Sequence, residues 1–330
     1  MSGGVDVSIV IPYFERPAEL TTLLRGLATV DRDGLAVEAL VVEDGSAVED
    51  AAGLAQAHPG LGLRFLRNDR NRGPGYSRNR GAAEARGRYL WFVDSDTEVP
   101  HPRVLHGLVA ALARTPPPLA AGGQLEAVGG VPHVMRPEIL PSLHFMLAKV
   151  PLRDDYREEL ATLSTTNFFI ARERFLAAGG FDTTLRMNED SELCLRLRQV
   201  ARGGVFYQDA STLLLHTVSP RGRDASFFDY FDDRRRYMRV KLRTRNLLLR
   251  RYMRWRLLVL PLLEAISIAA FARGMRTGRW HLSRLAVAGG AAAPVAWLHH
   301  AVTLAGYNAL AIGLFFAPAR RAERLPGGRD

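Results

Sequence analysis

Tyr89-Leu90-Trp91-Phe92-Val93, followed at once by Asp94-Ser95-Asp96, is the stretch on which the fold turns. Five apolar and aromatic residues are too few for a core helix and suit a strand buried on both faces. Such strands belong to parallel sheets, whose ligands sit in the crevice beyond the strands' carboxyl ends. Asp94 and Asp96 fall there. Alone, an Asp-x-Asp triplet is a turn or a helix cap in most proteins. Placed after a buried strand, two carboxylates two residues apart suit a hard divalent cation, Mn2+ or Mg2+, which completes its shell with water and phosphate oxygens.

Upstream, the β-branched run Val7 to Ile11 ends at Pro12, and Pro17 opens a helical pattern with Leu20, Leu23, Leu24 and Leu27 on one side. The alternation repeats through Ala39-Leu40-Val41-Val42 and Leu63-Arg64-Phe65-Leu66 to the run at Tyr89, with helical segments between. Four strands joined by helices predict parallel pairing with crossovers. The strand ends then offer Glu15, Asp44 and Asp94-Ser95-Asp96 to one edge.

Downstream of Pro116-Pro117-Pro118 the pattern is less regular, and Gly122-Gly123 and Gly129-Gly130 read as mixed strands and loops. Asn167 to Ile170 predicts a strand, Arg172 to Ala178 a short helix closed by Gly179-Gly180, and Glu189 to Arg202 a longer amphipathic helix. Leu213-Leu214-Leu215 predicts a strand that delivers His216.

Three further groups are candidates for chemistry. Arg78-Asn79 lies in Asn71 to Gly81, read as a glycine-rich loop leading into a helix, where arginine matches phosphate geometry; a Gly-Pro turn beside a solvated helix is the plainer reading. Glu189-Asp190 opens a helix, where acidic residues stabilise the N-terminus, but a carboxylate there could also accept a proton from a hydroxyl. His216 could ligate a metal through a neutral ring nitrogen or be structural.

The formal charge of +10 over 330 residues is unevenly placed. Arginines crowd residues 221–256 among aromatic and aliphatic side chains, which suits either an anionic lipid surface or solvated helix faces. Leu257 to Ala272 is apolar apart from Glu264, and Leu285 to Ala319, without Asp, Glu, Lys or Arg, is long enough to span a bilayer, though Pro294, several glycines and His299-His300 interrupt it. Spanning, lying in the interface and a buried apolar helical subdomain all stay open. The one cysteine, Cys194, excludes a disulfide framework and suits a reducing compartment. Met1-Ser2-Gly3-Gly4 and the short apolar run after it lack a signal-peptide pattern, so the amino-terminal domain is expected in the cytoplasm, attached to the inner face of the membrane through the C-terminal region.

In order, these pieces resemble the family 2 glycosyltransferases from Val7 to about Tyr252: Ser8 to Pro17, Val41-Val42-Glu43-Asp44-Gly45-Ser46, Arg78-Asn79-x-Gly81, Asp94-x-Asp96, Gly180-Phe181-Asp182, Glu189-Asp190 and His216. The resemblance implies an α/β fold of the GT-A (Rossmann-like) type with a mainly parallel central sheet, plus a C-terminal helical, hydrophobic extension. It implies that Asp44 contacts the nucleotide base, that Pro12, Tyr13 and Glu15 line that pocket in a loop, and that Arg78 lies near the nucleotide. Asp94 would contact the ribose or donor sugar, Asp96 would bind the metal, and His216 would be a further metal ligand or diphosphate contact. Asp190 would be the catalytic base, with Glu189 shaping the acceptor site. The implied activity is an inverting, metal-assisted hexosyl or deoxyhexosyl transfer from a UDP, GDP or dTDP sugar.

One departure from the family matters. Processive members carry Gln-x-x-Arg-Trp, where this chain has only Arg251-Tyr252-Met253-Arg254-Trp255, so transfer of one sugar at a time is expected. The expected organisation is a catalytic domain over 1–220, with donor half 1–115 and acceptor half 116–220, a basic helical segment 221–256 and a membrane-associating tail 257–330. The expected acceptor is a cell-envelope glycan or lipid-linked hydroxyl. Nucleic acid is not an expected partner. A nucleotidyltransferase would share the sheet and carboxylates but not Pro12-Tyr13-Phe14-Glu15 after its first strand. A non-catalytic basic protein binding membrane or nucleic acid would leave the carboxylates and His216 without a role.

Overall fold

The structure, a computed structural model, describes residues 4–46, 51–128, 131–135, 149–151, 157–160, 162–185, 187–202 and 204–217. The readings of the basic segment, the hydrophobic tail and the Arg251 to Trp255 departure lie outside these residues. The chain divides into two compact units, and the first, Met1–Ala127, Pro132–Val134 and Pro151–Val218, carries the central sheet, the helices packed on it and the candidate site.

The elements run β1 (Val7–Tyr13), α1 (Pro17–Ala28), β2 (Val37–Glu43), α2 (Ala51–Ala57), β3 (Leu63–Arg67), α3 (Pro74–Glu84), β4 (Tyr89–Val93), β5 (Thr97–Glu98) and α4 (Val104–Leu112). Then follow β6 (Ala120–Gly122), β7 (Gln124–Val128), β8 (Val131–Met135), β9 (Lys149–Pro151), β10 (Arg157–Leu160), β11 (Asn167–Ala171), α5 (Arg172–Ala177), α6 (Glu189–Val200), β12 (Phe206–Asp209) and β13 (Leu214–Thr217). The central sheet has the order β10-β12-β6-β11-β4-β1-β2-β3. As the sequence predicts, β1 to β4 are mutually parallel, with β1 between β2 and β4. β11 is a strand as predicted, but it runs antiparallel to β4 and to β6.

Alternation along the strands builds two cores, one on each face of the sheet. Val7, Ile9, Ile11 and Tyr13 of β1 join Trp91, Val93 and Phe169 under α1 and α4, which contribute Leu20, Leu23, Leu24, Leu27, Leu105 and Leu108. On the other face Val10, Phe92, Phe168 and Ile170 pack with Ala82 of α3, Phe175 of α5, and Leu193, Cys194 and Leu197 of α6. The result is a three-layer α/β/α sandwich. Gly81 sets the approach of α3 to the sheet, because a Cβ there would lie 2.4 Å from Val10 Cγ1.

A smaller ladder crosses the carboxyl edge. β13 lies between β5, to which it is antiparallel, and β7, to which it is parallel. β5 begins one residue after Asp96, so this ladder carries His216 to the end of β4.

Candidate functional site

The end of β1 differs from the expected loop. Pro12 and Tyr13 are still strand residues, and Tyr13 is buried in the core at 2% exposure, so the loop begins only at Phe14. β1 pairs with β4 only as far as Val10 and with β2 throughout, so Pro12 sits where one side of the strand has no ladder needing its missing N–H. Beyond it Glu15 is exposed and left-handed, with φ 50°, and its amide donates to Ser46 Oγ at 3.3 Å. A non-glycine residue held in that region marks a constrained turn.

Asp44, at the end of β2, is buried and fastens the loop before α3. Its Oδ1 accepts from Asn68 Nδ2 at 2.9 Å and Arg72 N at 2.8 Å, and its Oδ2 accepts from Gly73 N at 2.8 Å. A carboxylate offers about four acceptor positions, so about one remains for a ligand. Gly45 beside it has φ 83°, and a Cβ would lie 2.4 Å from Asn71 N, which only glycine avoids.

Pro74 starts α3, so Arg78 and Asn79 stand on a helix and not in the loop that the glycines suggest. Arg78 is 3% exposed and points inward between two carboxylates. Its Nη1 donates to Glu189 Oε1 at 2.7 Å and its Nη2 to Asp94 Oδ1 at 2.5 Å. Asn79 pairs with the backbone of Phe181 through Nδ2 to the carbonyl at 2.9 Å and Oδ1 from the amide at 2.8 Å. The motif thus joins α3 to the segment before α6, 102 positions on in sequence. Burial pulls Arg78 down, but Asp94 and Glu189 outweigh it and hold the guanidinium charged. Burial pushes Glu189 above the ordinary carboxylate range, against the pull of Arg78 and with help from Asp190. Both directions are compatible, because one positive charge is divided between two carboxylates.

Asp94 also accepts from Thr166 Oγ1 at 3.2 Å, while Thr97 Oγ1 donates to the Asp94 carbonyl at 2.7 Å and closes the turn. Asp96 meets Arg16 Nη1 through Oδ2 at 2.5 Å and His216 Nε2 through Oδ1 at 3.5 Å. Burial raises the Asp96 carboxyl, but His216 and then Arg16 outweigh it and leave it below its ordinary value. Asp96 and His216, separated by 120 positions in sequence, are therefore neighbours. Two donors 3.5 Å apart are near enough to share an ion with bonds of about 2 Å. Among the described residues no group of three or more His, Cys, Asp and Glu converges on a metal site. Such a pair suits an ion that takes its remaining ligands from a diphosphate and water, the habit of Mg2+ and Mn2+.

At the start of α6, Asn188 is left-handed with φ 59°, and the two acidic residues after it diverge. Glu189 turns inward to Arg78. Asp190 stays half-buried and accepts from Ser191 N through Oδ1 at 2.6 Å. The sequence reading passed over three residues here: Arg16, Asn68 and Thr166. Only Arg16 left a signal, standing beside Glu15 at the end of the first strand.

Residues 8–176, more than half of the chain, match the profile described as glycosyl transferase family 2. The succinoglycan biosynthesis protein ExoO of Rhizobium meliloti is 38% identical over 95 residues, 28% of this chain and 26% of that one. A putative polypeptide N-acetylgalactosaminyltransferase 13 of Drosophila melanogaster is 32% identical over 216 residues, 58% of this chain and 38% of that one. The chain therefore spans well under half the length of these two relatives. Among solved structures, the mannosyltransferase PcManGT of Pyrobaculum calidifontis, in complex with GDP-Man and Mn2+, superposes with a TM-score of 0.55 at 18% identity, covering 95% of this chain and 84% of that one. Residues 1–349 of S. aureus TarS in complex with UDP give 0.51 at 18% identity, covering 74% and 65%. Identities of that size speak for the fold, and that fold is GT-A; together with the profile match they place this chain in glycosyl transferase family 2.

Proposed function

We propose that this chain transfers a single sugar from a nucleoside-diphosphate sugar to a hydroxyl acceptor with inversion at the anomeric carbon. The observation that carries the reading is the gathering of Asp94, Asp96 and His216 beyond the carboxyl end of β4, with Arg78 tying Asp94 to the start of α6. The crystallised relatives named above hold GDP-Man or UDP, which fits a nucleotide-linked donor here.

In this reading the remaining acceptor position of Asp44 takes a base N–H, and Glu15 borders the base pocket from the exposed turn after β1. Arg78 acts as a positioning residue, since its donors face Asp94 and Glu189. Asp190 accepts the proton of the acceptor hydroxyl as its oxygen bonds to the anomeric carbon and the bond to the diphosphate oxygen breaks. A divalent cation held by Asp96 and His216 would neutralise charge on the departing diphosphate. Glu189 holds the acceptor side in shape through Arg78.

The domain layout and the membrane reading belong to the same proposal. Among the described residues no helix is long and apolar enough to cross a membrane, and the apolar stretches after Leu257 lie beyond them. With the arginines of residues 221–256 they favour a membrane surface and a lipid-linked or envelope-glycan acceptor. Calorimetry with UDP, GDP and dTDP, with and without Mn2+, tests the donor site on wild type and Asp96→Ala. Metal-dependent binding of one nucleotide, lost in the variant, is expected; no binding of any of them would sink the reading.

A further inference from the structure

Arg16 has no place in the site as the family resemblance draws it, yet its guanidinium makes the closest contact to Asp96. Nη1 stands 2.5 Å from Oδ2 while His216 faces Oδ1, so both oxygens of this carboxylate are met by nitrogen. The root of Arg16 is fixed, because Glu15 before it is held left-handed and Pro17 after it opens α1. Its side chain is 32% exposed, against 19% for Asp96, so the guanidinium arm is partly open to solvent and not locked in the core.

We infer that Arg16 is a diphosphate ligand that competes with the divalent cation for Asp96, and that this competition couples metal binding to nucleotide binding. The inference rests on the donor-site reading above. A guanidinium is always charged, and its fork of donors matches a diphosphate as well as a carboxylate. A divalent ion at Asp96 sets two positive charges against a third, so Arg16 must turn away. A diphosphate arriving with the ion gives it an anion to turn to; the ion alone does not. Metal and nucleoside diphosphate therefore strengthen each other, and the strengthening is reciprocal.

The test titrates Mn2+ into the full chain by water-proton relaxation, with and without the nucleotide that the wild type binds. Wild type, Arg16→Gln and Arg16→Lys are compared. Nucleotide is expected to raise the Mn2+ affinity of wild type. Arg16→Gln should bind Mn2+ alone more tightly and nucleotide with Mn2+ more weakly, so that the coupling factor falls by about tenfold. Arg16→Lys keeps the charge without the fork, so Mn2+ alone should bind as weakly as to wild type while nucleotide affinity falls. If Arg16→Gln loses its far-ultraviolet dichroism, Arg16→Lys decides, and undiminished nucleotide affinity there overturns the inference. Equal coupling in wild type and Arg16→Gln overturns it too, and leaves the donor site standing. A wild type that binds one nucleotide regardless of Mn2+ overturns this inference alone, and a wild type that binds none overturns the donor-site reading with it.

Discussion

Arg78 and Glu189 stand 111 positions apart in sequence and form a buried ion pair of 2.7 Å. The pair fastens α3, which follows the loop held by Asp44, to the first residue of α6, which also carries Asp190. The same guanidinium holds Asp94, so one side chain sets the spacing between the two halves of the site.

Replacing Arg78 by Met should therefore act on stability as well as activity. It would leave two carboxylates without their shared cation, and removing one partner of a buried pair costs about 3–5 kcal/mol. Urea unfolding should show a loss of that order. Arg78→Lys should recover part of it, because an ammonium keeps the charge but lacks the fork that reaches both acids.

Glu189 gives a pH-dependent counterpart. Its carboxyl is raised above the unfolded value of about 4.3, so the folded state holds this proton more tightly than the unfolded chain does. Its contribution to stability is then fullest below about pH 4 and is lost as pH rises through the folded value. Glu189→Gln cannot ionise. The stability of wild type relative to Glu189→Gln should fall as pH rises from 4 to 7 in urea unfolding; a difference that is flat or grows with pH would contradict the raised carboxyl.

Much of this was legible in the chain because the signals are local. β1, β2 and β4 are short runs rich in β-branched or aromatic residues, β3 carries Leu63, Phe65 and Leu66, and the leucines of α1 keep helical spacing, so the parallel half of the sheet could be read directly. The antiparallel direction of β11 could not, since Asn167 to Ile170 reads the same in either direction and only its partners fix it. The end of β1 was misplaced for a similar reason. Pro12 looks like a terminator, but β2 pairs with β1 through Tyr13 and the tyrosine is core. Arg78 beside glycines and a proline resembles a phosphate-binding arginine, and its inward turn depends on acids 16 and 111 residues away. Arg16 escaped because its partner lies 80 residues on.

Gly81 tests whether the packing of α3 matters to the site. A methyl group there would overlap Val10 Cγ1, and Val42 Cγ2 at 3.2 Å closes the other side, so α3 must move outward. Overpacking of this kind costs about 1–3 kcal/mol. Because α3 carries Arg78 and Asn79, Gly81→Ala should lower the melting temperature and weaken nucleotide binding together. A lower melting temperature with unchanged binding would mean that the helix shifts without disturbing Asp94.

In the proposed reading Asp190 separates chemistry from donor binding. Glu189 is committed to Arg78, while Asp190 is half-buried and makes its short contact to the neighbouring Ser191 amide, which also steadies the start of α6. If that contact were its whole role, Asp190→Asn would cost little, since an amide oxygen accepts the same N–H. A general base is different: the amide cannot take up a proton at neutral pH, and the loss of proton transfer is worth about 10²–10⁴ in rate. Asp190→Asn should thus lower kcat by that factor while leaving the Kd for nucleotide with Mn2+ unchanged, whereas Asp96→Ala loses that binding. Near-wild-type turnover in Asp190→Asn would reduce Asp190 to a helix-end carboxylate and move the search for the base elsewhere on the acceptor side.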